Sequence, residues 1–301
     1  MTDPILPPEA HDRRFLFILT GALAIFLTIS FIVGSQIKKQ DGGEDFKVAA
    51  KFPTVEIEAK SAYVYDARTQ TVLFAHNENT RLPLASLTKV MSALVATEAT
   101  DGSSTVTVDP LALKTEGDSG LRPGEKWSLK KLLDFSLITS SNDGIATVAL
   151  AVGPNFVQKM NNKASELDLK NTYYWNATGL DESEVKGGAY STAQDVAALM
   201  NYVVSYYPQT LEATREESAS VTSLDNHPHL AKNTNTLVNQ IPGLIASKTG
   251  YTETAGGNLA FVFDPELGRP IVVVILGSSA EGRFLDAEKL VKATLSYLNS
   301  K

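Results

Sequence analysis

Ser86 and Lys89 have the residue types and the spacing of a serine nucleophile and the base that activates it. Residues three apart share a face of a helix, so the two side chains can meet if this segment is helical. A serine hydroxyl is a weak nucleophile until a base takes its proton. A lysine amine serves as that base when burial or a neighbouring cation lowers its pKa. The pair therefore indicates acyl transfer through a serine ester.

The Ser-x-x-Lys pattern has little specificity by itself, because it occurs four times, starting at residues 35, 86, 128 and 183. At any single match, composition favours an ordinary exposed serine and lysine. Only the match at Ser86 opens a strongly amphipathic helix. The apolar residues of that helix recur with helical spacing at Leu87, Val90, Met91, Leu94 and Val95.

Two further motifs contain polar residues suited to a binding site. Residues 140–142 read Ser-Ser-Asn, the single Ser-x-Asn of the chain, at the junction of two predicted helices. Taken alone, this motif is typical of a helix N-cap. Residues 248–250 read Lys-Thr-Gly in a predicted strand. Strand alternation puts Lys248 and Gly250 on one face, where the missing side chain would let a substrate backbone approach. Taken alone, an edge-strand lysine that discourages aggregation is the simpler interpretation.

The hydrophobic periodicity predicts strands at both ends of the domain and helices between them. Strands are predicted at 61–66, 71–75, 244–251, 258–264 and 270–277. Helices are predicted after Pro83 and at 129–138, 142–152, 191–204 and 284–298, with Ser191 and Gln194 as a capping box. This order predicts one antiparallel sheet covered by helices.

An uncharged run of twenty residues, 15–34, is long enough to span a membrane. A helix rises about 1.5 Å per residue, so the run covers a hydrocarbon core of roughly 30 Å. It exceeds the signal-peptide core of about 7–15 residues, which favours a retained anchor, although small residues at 33–35 leave cleavage open. The chain then divides into a tail (1–14), this anchor or uncleaved signal (15–34), a polar linker (35–54) and one folded domain (55–301).

The composition excludes several classes of function. The 301 residues include 27 basic and 34 acidic side chains, a net charge of −7, which argues against broad nucleic-acid binding. The absence of cysteine excludes disulfides, thiolate metal sites and a cysteine nucleophile. Four histidines leave little for a histidine-based metal site. Acyl transfer through a serine needs no metal and no cofactor, so we expect neither, and the negative charge predicts no nucleic-acid partner.

Together the three motifs, in this order, resemble the signature of penicillin-binding proteins and serine β-lactamases. The chain resembles the low-molecular-mass penicillin-binding proteins, which are the D-alanyl-D-alanine carboxypeptidases of the S11 peptidase group. The resemblance runs from about residue 59 to the C-terminus. Segments similar to the family lie at 81–96, 137–150, 169–181, 190–200 and 242–261.

The resemblance implies an α+β fold of the serine β-lactamase/transpeptidase type, with a five-stranded antiparallel sheet covered by helices. It implies that Ser86 is the nucleophile, Lys89 the general base and Ser140 a proton relay. The implied substrate-binding residues are Asn142, Lys248, Thr249, Gly250, Tyr251 and Arg283. The backbone N–H groups of Ser86 and Tyr251 would form the oxyanion hole, and Arg283 would meet the terminal carboxylate.

The implied substrate is a peptidoglycan stem peptide ending in D-Ala-D-Ala, with β-lactams as covalent inhibitors. The implied location is the cell membrane, with one span at 15–34 and residues 55–301 as an extracytoplasmic D,D-peptidase domain. Flanking charges alone weakly favour the opposite orientation.

Three alternatives to a carboxypeptidase stay open at this point. They are a D,D-endopeptidase that cuts crosslinks, a serine β-lactamase, and a non-catalytic wall-binding protein. The β-lactamase would need a deacylating glutamate, and residues 166–170 come near such a motif.

Overall fold

The computed structural model of the protein describes residues 51–100 and 104–300. Its strands are β1 (Ser61–Asp66), β2 (Thr71–His76), β3 (Leu82–Pro83), β4 (Thr105–Thr107), β5 (Lys126–Ser128), β6 (Tyr173–Tyr174), β7 (Ala189–Ser191), β8 (Ser218–Thr222), β9 (Pro228–Lys232), β10 (Leu244–Thr252), β11 (Gly256–Phe263) and β12 (Ile271–Ser278). Its α-helices are α1 (Thr88–Ala99), α2 (Leu129–Thr139), α3 (Asn142–Val152), α4 (Phe156–Glu166), α5 (Ala193–Tyr206) and α6 (Gly282–Asn299). Short 3-10 helices lie at Ala85–Leu87, Ala112–Lys114, Pro208–Thr210 and Glu212–Arg215.

Five strands form the main sheet in the order β10-β11-β12-β1-β2, and every neighbouring pair is antiparallel. This confirms the predicted five-stranded antiparallel sheet. All five strands lie within two residues of their predicted bounds. β10, which carries the Lys-Thr-Gly motif, is an edge strand, so one of its sides is free to face a cleft.

The central strand β12 is apolar along most of its length because helices cover both faces of the sheet. Residues 271–276 read IVVVIL and are fully buried. Ile271 and Val273 lie in the core that α6 completes, whereas Val272 and Val274 lie in the larger core with α1, α2, α3 and α5. The sheet is therefore the rigid middle layer, and its larger-core side also carries the helices that bear the Ser86 and Ser140 motifs.

The start of α5 differs from the prediction. Ser191 and Gln194 do not form the predicted capping box. Thr192 is the N-cap instead, and its Oγ1 accepts a hydrogen bond from the backbone N–H of Asp195 at 3.1 Å. Ser191 belongs to β7, where its hydroxyl lies 2.7 Å from that of Thr172. The helix therefore begins at residue 193 rather than 191, because strand pairing holds Ser191 in an extended conformation.

Smaller sheets surround the cleft side of the domain. β3, β7 and β6 form a three-stranded sheet that ends next to the Ser86 turn, while β4 pairs with β5 and β8 with β9. The predicted membrane segment at 15–34 lies outside the described residues and stays a prediction. Within residues 51–100 and 104–300, no helix has the length and hydropathy needed to cross a bilayer.

Candidate active site

Ser86 lies on a single 3-10 turn, Ala85–Leu87, that leads directly into α1. Ala85 has a left-handed backbone, with φ at +47°. This conformation costs a residue with a Cβ atom about 1–2 kcal/mol. The hydroxyl of Thr88 donates to the carbonyl oxygen of Ala85 at 2.7 Å. The backbone immediately before Ser86 is therefore strained, and contacts from other segments must hold it in place.

Two glycines from other segments pack closely against this backbone. A Cβ atom at Gly179 would overlap the carbonyl group of Ala85. A Cβ atom at Gly250 would lie 2.9 Å from the Leu84 carbonyl oxygen and 3.1 Å from the Ser86 nitrogen. The structure adds a second reason for a glycine at position 250, and its predicted role in admitting a substrate stays a prediction. Its missing side chain makes room for the Ser86 turn of this same chain.

The amine of Lys89 is completely buried and meets three oxygen atoms. Its Nζ lies 2.7 Å from the Oγ of Ser86, 2.6 Å from the Oδ1 of Asn142 and 2.8 Å from the carbonyl oxygen of Thr178. The amide and carbonyl oxygens only accept hydrogen bonds, so they take two N–H groups of the amine. In a neutral amine, the remaining lone pair is then directed at the Ser86 hydroxyl.

Burial and neighbouring cations favour the neutral forms of both lysines. Desolvation, followed by the charge of Lys248, lowers the pKa of Lys89 well below 10.5, and the charge of Asp143 opposes part of this effect. Desolvation, together with the charge of Arg283, lowers the pKa of Lys248 to about 7. At neutral pH, Lys89 is thus suited to accept a proton, and the charged form of Lys248 is also disfavoured by its burial.

The Ser-x-Asn motif joins α2 to α3 and turns its three side chains in different directions. Ser140 ends α2 in a left-handed conformation, with φ at 61°. Ser141 is buried, and its Oγ caps α3 by accepting from the backbone N–H of Gly144 at 2.8 Å. Asn142 holds Lys89 through Oδ1 and donates from Nδ2 to the carbonyl oxygen of Glu116 at 2.9 Å. Ser141 is therefore the helix N-cap, and Ser140 is left as the serine that can serve the active site.

The Lys-Thr-Gly motif of β10 meets the Ser-x-Asn motif directly. Lys248 is buried, and its Nζ donates to the Oγ of Ser140 at 2.9 Å. The Thr249 hydroxyl lies 2.6 Å from that of Thr234. The structure thus brings the predicted residues together as two hydrogen-bonded groups of side chains. Lys89 contacts Ser86 and Asn142. Lys248 contacts Ser140, and its charge acts on Lys89.

Arg283 and Tyr251 lie beside these groups. The Nη1 of Arg283 donates to the carbonyl oxygen of Gly250 at 2.7 Å, and its guanidinium lies 4.7 Å from the ring centroid of Phe284. Its buried Nε has no hydrogen-bond partner within the described chain. The side chain of Tyr251 is half-exposed and does not join the lysine network. Arg283 therefore has unused donor capacity next to β10.

The Peptidase S11 family model, described as D-alanyl-D-alanine carboxypeptidase, matches residues 46–280. The chain belongs to this family. The D-alanyl-D-alanine carboxypeptidase DacF of Bacillus subtilis is 32% identical over 287 residues, which cover 92% of this chain and 71% of the relative. This S11 chain is also 32% identical over 246 residues to the D-alanyl-D-alanine endopeptidase of Pseudomonas aeruginosa, with coverages of 78% and 76%.

The fold comparison agrees with the sequence comparison. The S11 chain is similar to penicillin-binding protein D2 of Listeria monocytogenes in its cefotaxime-bound form, with a TM-score of 0.68 and 29% identity. The match covers 81% of this chain and 99% of that one. The predicted family, the serine peptidase class and the penicillin-binding α+β fold are therefore confirmed. The roles of individual residues stay predictions.

Sequence reasoning missed four residues that shape this S11 site. They are Asp143, Thr178, Gly179 and Thr234. Thr178 and Gly179 lie in the family-like segment 169–181, and Asp143 directly follows the Ser-x-Asn motif, so the sequence marks where these three residues lie but not what they do. Thr234 lies in an ordinary polar run, and only the folded chain brings it to Thr249.

The other Ser-x-x-Lys matches in the described chain have structural explanations. Ser128 is the N-cap of α2 and accepts from the backbone N–H of Lys131 at 3.4 Å. Ser183 and Lys186 exchange two backbone hydrogen bonds across a turn, each 3.2 Å long. The match that begins at residue 35 lies outside the described residues.

Glu166, the nearest match to a β-lactamase deacylating residue, does not belong to the site. It ends α4, is largely exposed and pairs with Lys163 at 2.6 Å. No cluster of three or more histidine and acidic side chains placed to hold a metal occurs within residues 51–100 and 104–300.

Proposed function

We propose that this S11 peptidase removes the C-terminal D-Ala from peptidoglycan stem peptides through an acyl ester on Ser86. The observation that carries the proposal is the environment of the Lys89 amine. Two carbonyl-type oxygens, from Asn142 and Thr178, take its N–H groups, and the Ser86 hydroxyl meets its third side at 2.7 Å. A neutral amine held in this way accepts the serine proton without any rearrangement.

Acylation begins when Lys89 takes the proton of Ser86 and the Oγ attacks the carbonyl carbon of the penultimate D-Ala. The negative charge develops on the carbonyl oxygen, where the backbone N–H groups of Ser86 and Tyr251 would stabilise it. Each such donor is worth about 2.7–4 kcal/mol in comparable sites. The proximity of Gly250 to the Ser86 nitrogen supports this pairing of strand and turn.

Collapse of the tetrahedral intermediate breaks the peptide bond, and the departing D-Ala amine needs a proton. The Ser140 hydroxyl, 2.9 Å from Lys248, is suited to pass it on, because the Lys248 pKa of about 7 permits both donation and recapture. The carboxylate of the departing D-Ala would meet the Thr249 hydroxyl and the Arg283 guanidinium. Water then hydrolyses the ester and restores Ser86.

β-Lactams would acylate the same hydroxyl, since the strained lactam carbonyl takes the place of the scissile peptide. The likeness to a Listeria penicillin-binding protein in a cefotaxime-bound form supports this assignment.

A D,D-endopeptidase is the second candidate, and the Pseudomonas relative named as an endopeptidase favours it. Both activities need the same acyl-enzyme. They differ in the leaving group, which is free D-Ala in one and a crosslinked diamino acid in the other.

We also propose that residues 15–34 anchor the chain in the cell membrane with residues 55–301 on the extracytoplasmic side. The support is the uncharged length of the segment and the location of peptidoglycan outside the membrane. Protease added to intact cells should remove the domain, and the anchor fragment should stay in the membrane fraction.

The deciding experiment incubates wild type and Ser86→Ala with a diacyl-Lys-D-Ala-D-Ala peptide and, separately, with a crosslinked muropeptide dimer. A carboxypeptidase releases D-Ala from the peptide and leaves the dimer intact. Cleavage of the dimer without D-Ala release would favour the endopeptidase instead. Equal activity of Ser86→Ala would contradict the acyl-enzyme on Ser86.

A further inference from the structure

A row of aromatic side chains lies on one face of the small sheet β3-β7-β6. Tyr190 of β7 is directly opposite both Pro83 of β3 and Tyr173 of β6, so these three share a face. Trp175 joins them, with its ring centroid 4.5 Å from that of Tyr173 and 5.7 Å from that of Tyr190.

The packing of the domain does not account for this row. Tyr174 and Ala189 form the opposite face of the sheet and are almost completely buried, so that face packs into the hydrophobic core. Tyr173 is 45% exposed, and Trp175 and Tyr190 are half-buried. A contiguous aromatic surface in contact with water is typical of a binding site.

Two cations border the aromatic rings. The guanidinium of Arg81 lies 5.8 Å from the ring centroid of Tyr190, and the ammonium of Lys186 lies 4.6 Å from that of Trp175. Neither forms an ion pair with any residue of 51–100 or 104–300. We call Arg81, Tyr173, Trp175, Lys186 and Tyr190 the aromatic face.

The aromatic face is built on elements that adjoin the candidate active site. Its β3 strand leads directly into the Ser86 turn, since the backbone N–H of Leu84 donates to the carbonyl of Ala189 at 3.0 Å. The loop that carries Lys186 is tied to β10 just beyond Tyr251, because the Thr252 hydroxyl donates to Asp181 at 2.9 Å. A polymer bound in the cleft can therefore extend onto this face.

We propose that the aromatic face binds the glycan strand of peptidoglycan, on which the stem peptides are carried. This inference rests on the proposed function. The axial C–H groups of a pyranose ring form a weakly positive apolar surface, which complements the negative face of an aromatic ring. Stem peptides on neighbouring sugars end in carboxylates, which complement Arg81 and Lys186. A neutral sugar flanked by carboxylates therefore complements both the aromatic rings and the two cations of the aromatic face.

Tryptophan fluorescence gives a direct test, because the chain has two tryptophans and Trp127 is completely buried. Full-length Ser86→Ala is titrated in detergent with glycan strands freed of stem peptides by an amidase. We expect a saturable change in emission that disappears in Ser86→Ala/Trp175→Phe. Tyr206→Ala, which removes another exposed aromatic ring, should leave the change intact.

A rate comparison tests the consequence for catalysis. Trp175→Ala should lower kcat/KM on polymeric peptidoglycan about tenfold more than on the diacyl-Lys-D-Ala-D-Ala peptide, as expected for loss of an aromatic binding anchor. Equal effects on both substrates would overturn the glycan assignment. If the free peptide changed the fluorescence as much as glycan does, the aromatic face would be a peptide-binding site, and the glycan assignment would again be wrong. If wild type failed to release D-Ala from the free peptide, the proposed function would be wrong. The glycan titration would still decide whether the aromatic face binds glycan.

Discussion

The Nζ of Lys89 donates to the carbonyl oxygen of Thr178 at 2.8 Å, across 89 positions of the chain. This contact defines the chemistry of the Ser86 pair, because it takes one N–H of the amine, while Asn142 takes another. The direction of the lone pair is therefore set by two acceptors, the backbone carbonyl of Thr178 and the side chain of Asn142.

Lys89→Arg should abolish activity although it conserves the positive charge. A guanidinium stays protonated at any pH the protein tolerates and cannot take the Ser86 proton. We expect D-Ala release and acylation by a labelled penicillin to fall below detection while the circular dichroism spectrum stays native. Near-normal rates at neutral pH would show that another group is the base.

Gly179→Ala should lower acylation by displacing the strained backbone before Ser86, since its Cβ would overlap the Ala85 carbonyl. Gly268→Ala is a matched control. The two glycines have similar left-handed φ angles, +84° and +81°, but a Cβ at Gly268 meets nothing within 4 Å. Both variants should lose about 1–2 kcal/mol of unfolding free energy from backbone strain. Only Gly179→Ala should also slow penicillin acylation, measured by stopped flow. Equal acylation rates in the two variants would show that Gly179 does not position Ser86.

Lys248→Met should stabilise the fold most below neutral pH. The folded-state pKa of Lys248 is about 7 against an ordinary value of 10.5. Between these values the unfolded chain binds more protons than the folded one, so the unfolding free energy of wild type rises with pH. The slope is at most about 1.4 kcal/mol per pH unit. The destabilisation is fully present below pH 7 and is lost as the pH approaches 10.5.

Urea unfolding from pH 5 to 10 checks the Lys248 prediction, with the exposed Lys131→Met as control. The stability advantage of Lys248→Met over wild type should shrink as the pH rises. An advantage independent of pH would mean that Lys248 is not a buried, destabilised cation.

Arg283→Gln should weaken recognition of the free carboxylate at the substrate terminus. Loss of a charge-assisted hydrogen bond costs about 1.5–3 kcal/mol, or about tenfold to a hundredfold in kcat/KM. A peptide whose terminal carboxylate is capped as an amide should be cleaved at similar rates by both proteins. The predicted role of Arg283 would be wrong if the substitution affected the acid and the amide equally.

The sequence predicts most of the fold because periodicity is strong where burial is strong. β12 is apolar at every position from 271 to 276, and α1 is apolar at six of its nine buried positions, so the sequence predicts both. The sequence pattern does not predict the helix α4, because its buried residues are only Phe156, Met160 and Ala164, one for each turn. Their spacing gives a narrow stripe among polar residues, and packing in the core stabilises the helix.

The residues of the candidate site also differ in how well the sequence identifies them. The short motifs identify Ser86, Lys89 and Lys248 because the chemistry needs those side chains at fixed spacing. Thr178 acts through its backbone carbonyl and Gly179 through a missing side chain, so neither leaves a side-chain pattern that points to a role. Thr234 is brought to Thr249 by the tertiary fold, in which its backbone N–H donates to the carbonyl oxygen of Ile138 at the end of α2.

The central claim is that the Ser86 hydroxyl, activated by Lys89, forms the covalent intermediate. Intact-mass spectrometry after incubation with penicillin tests it most directly, on wild type and on Ser86→Ala. We predict that wild type gains the mass of one penicillin and that Ser86→Ala gains none. A penicillin adduct of equal yield on Ser86→Ala would contradict the account, because the nucleophile would then be a different residue.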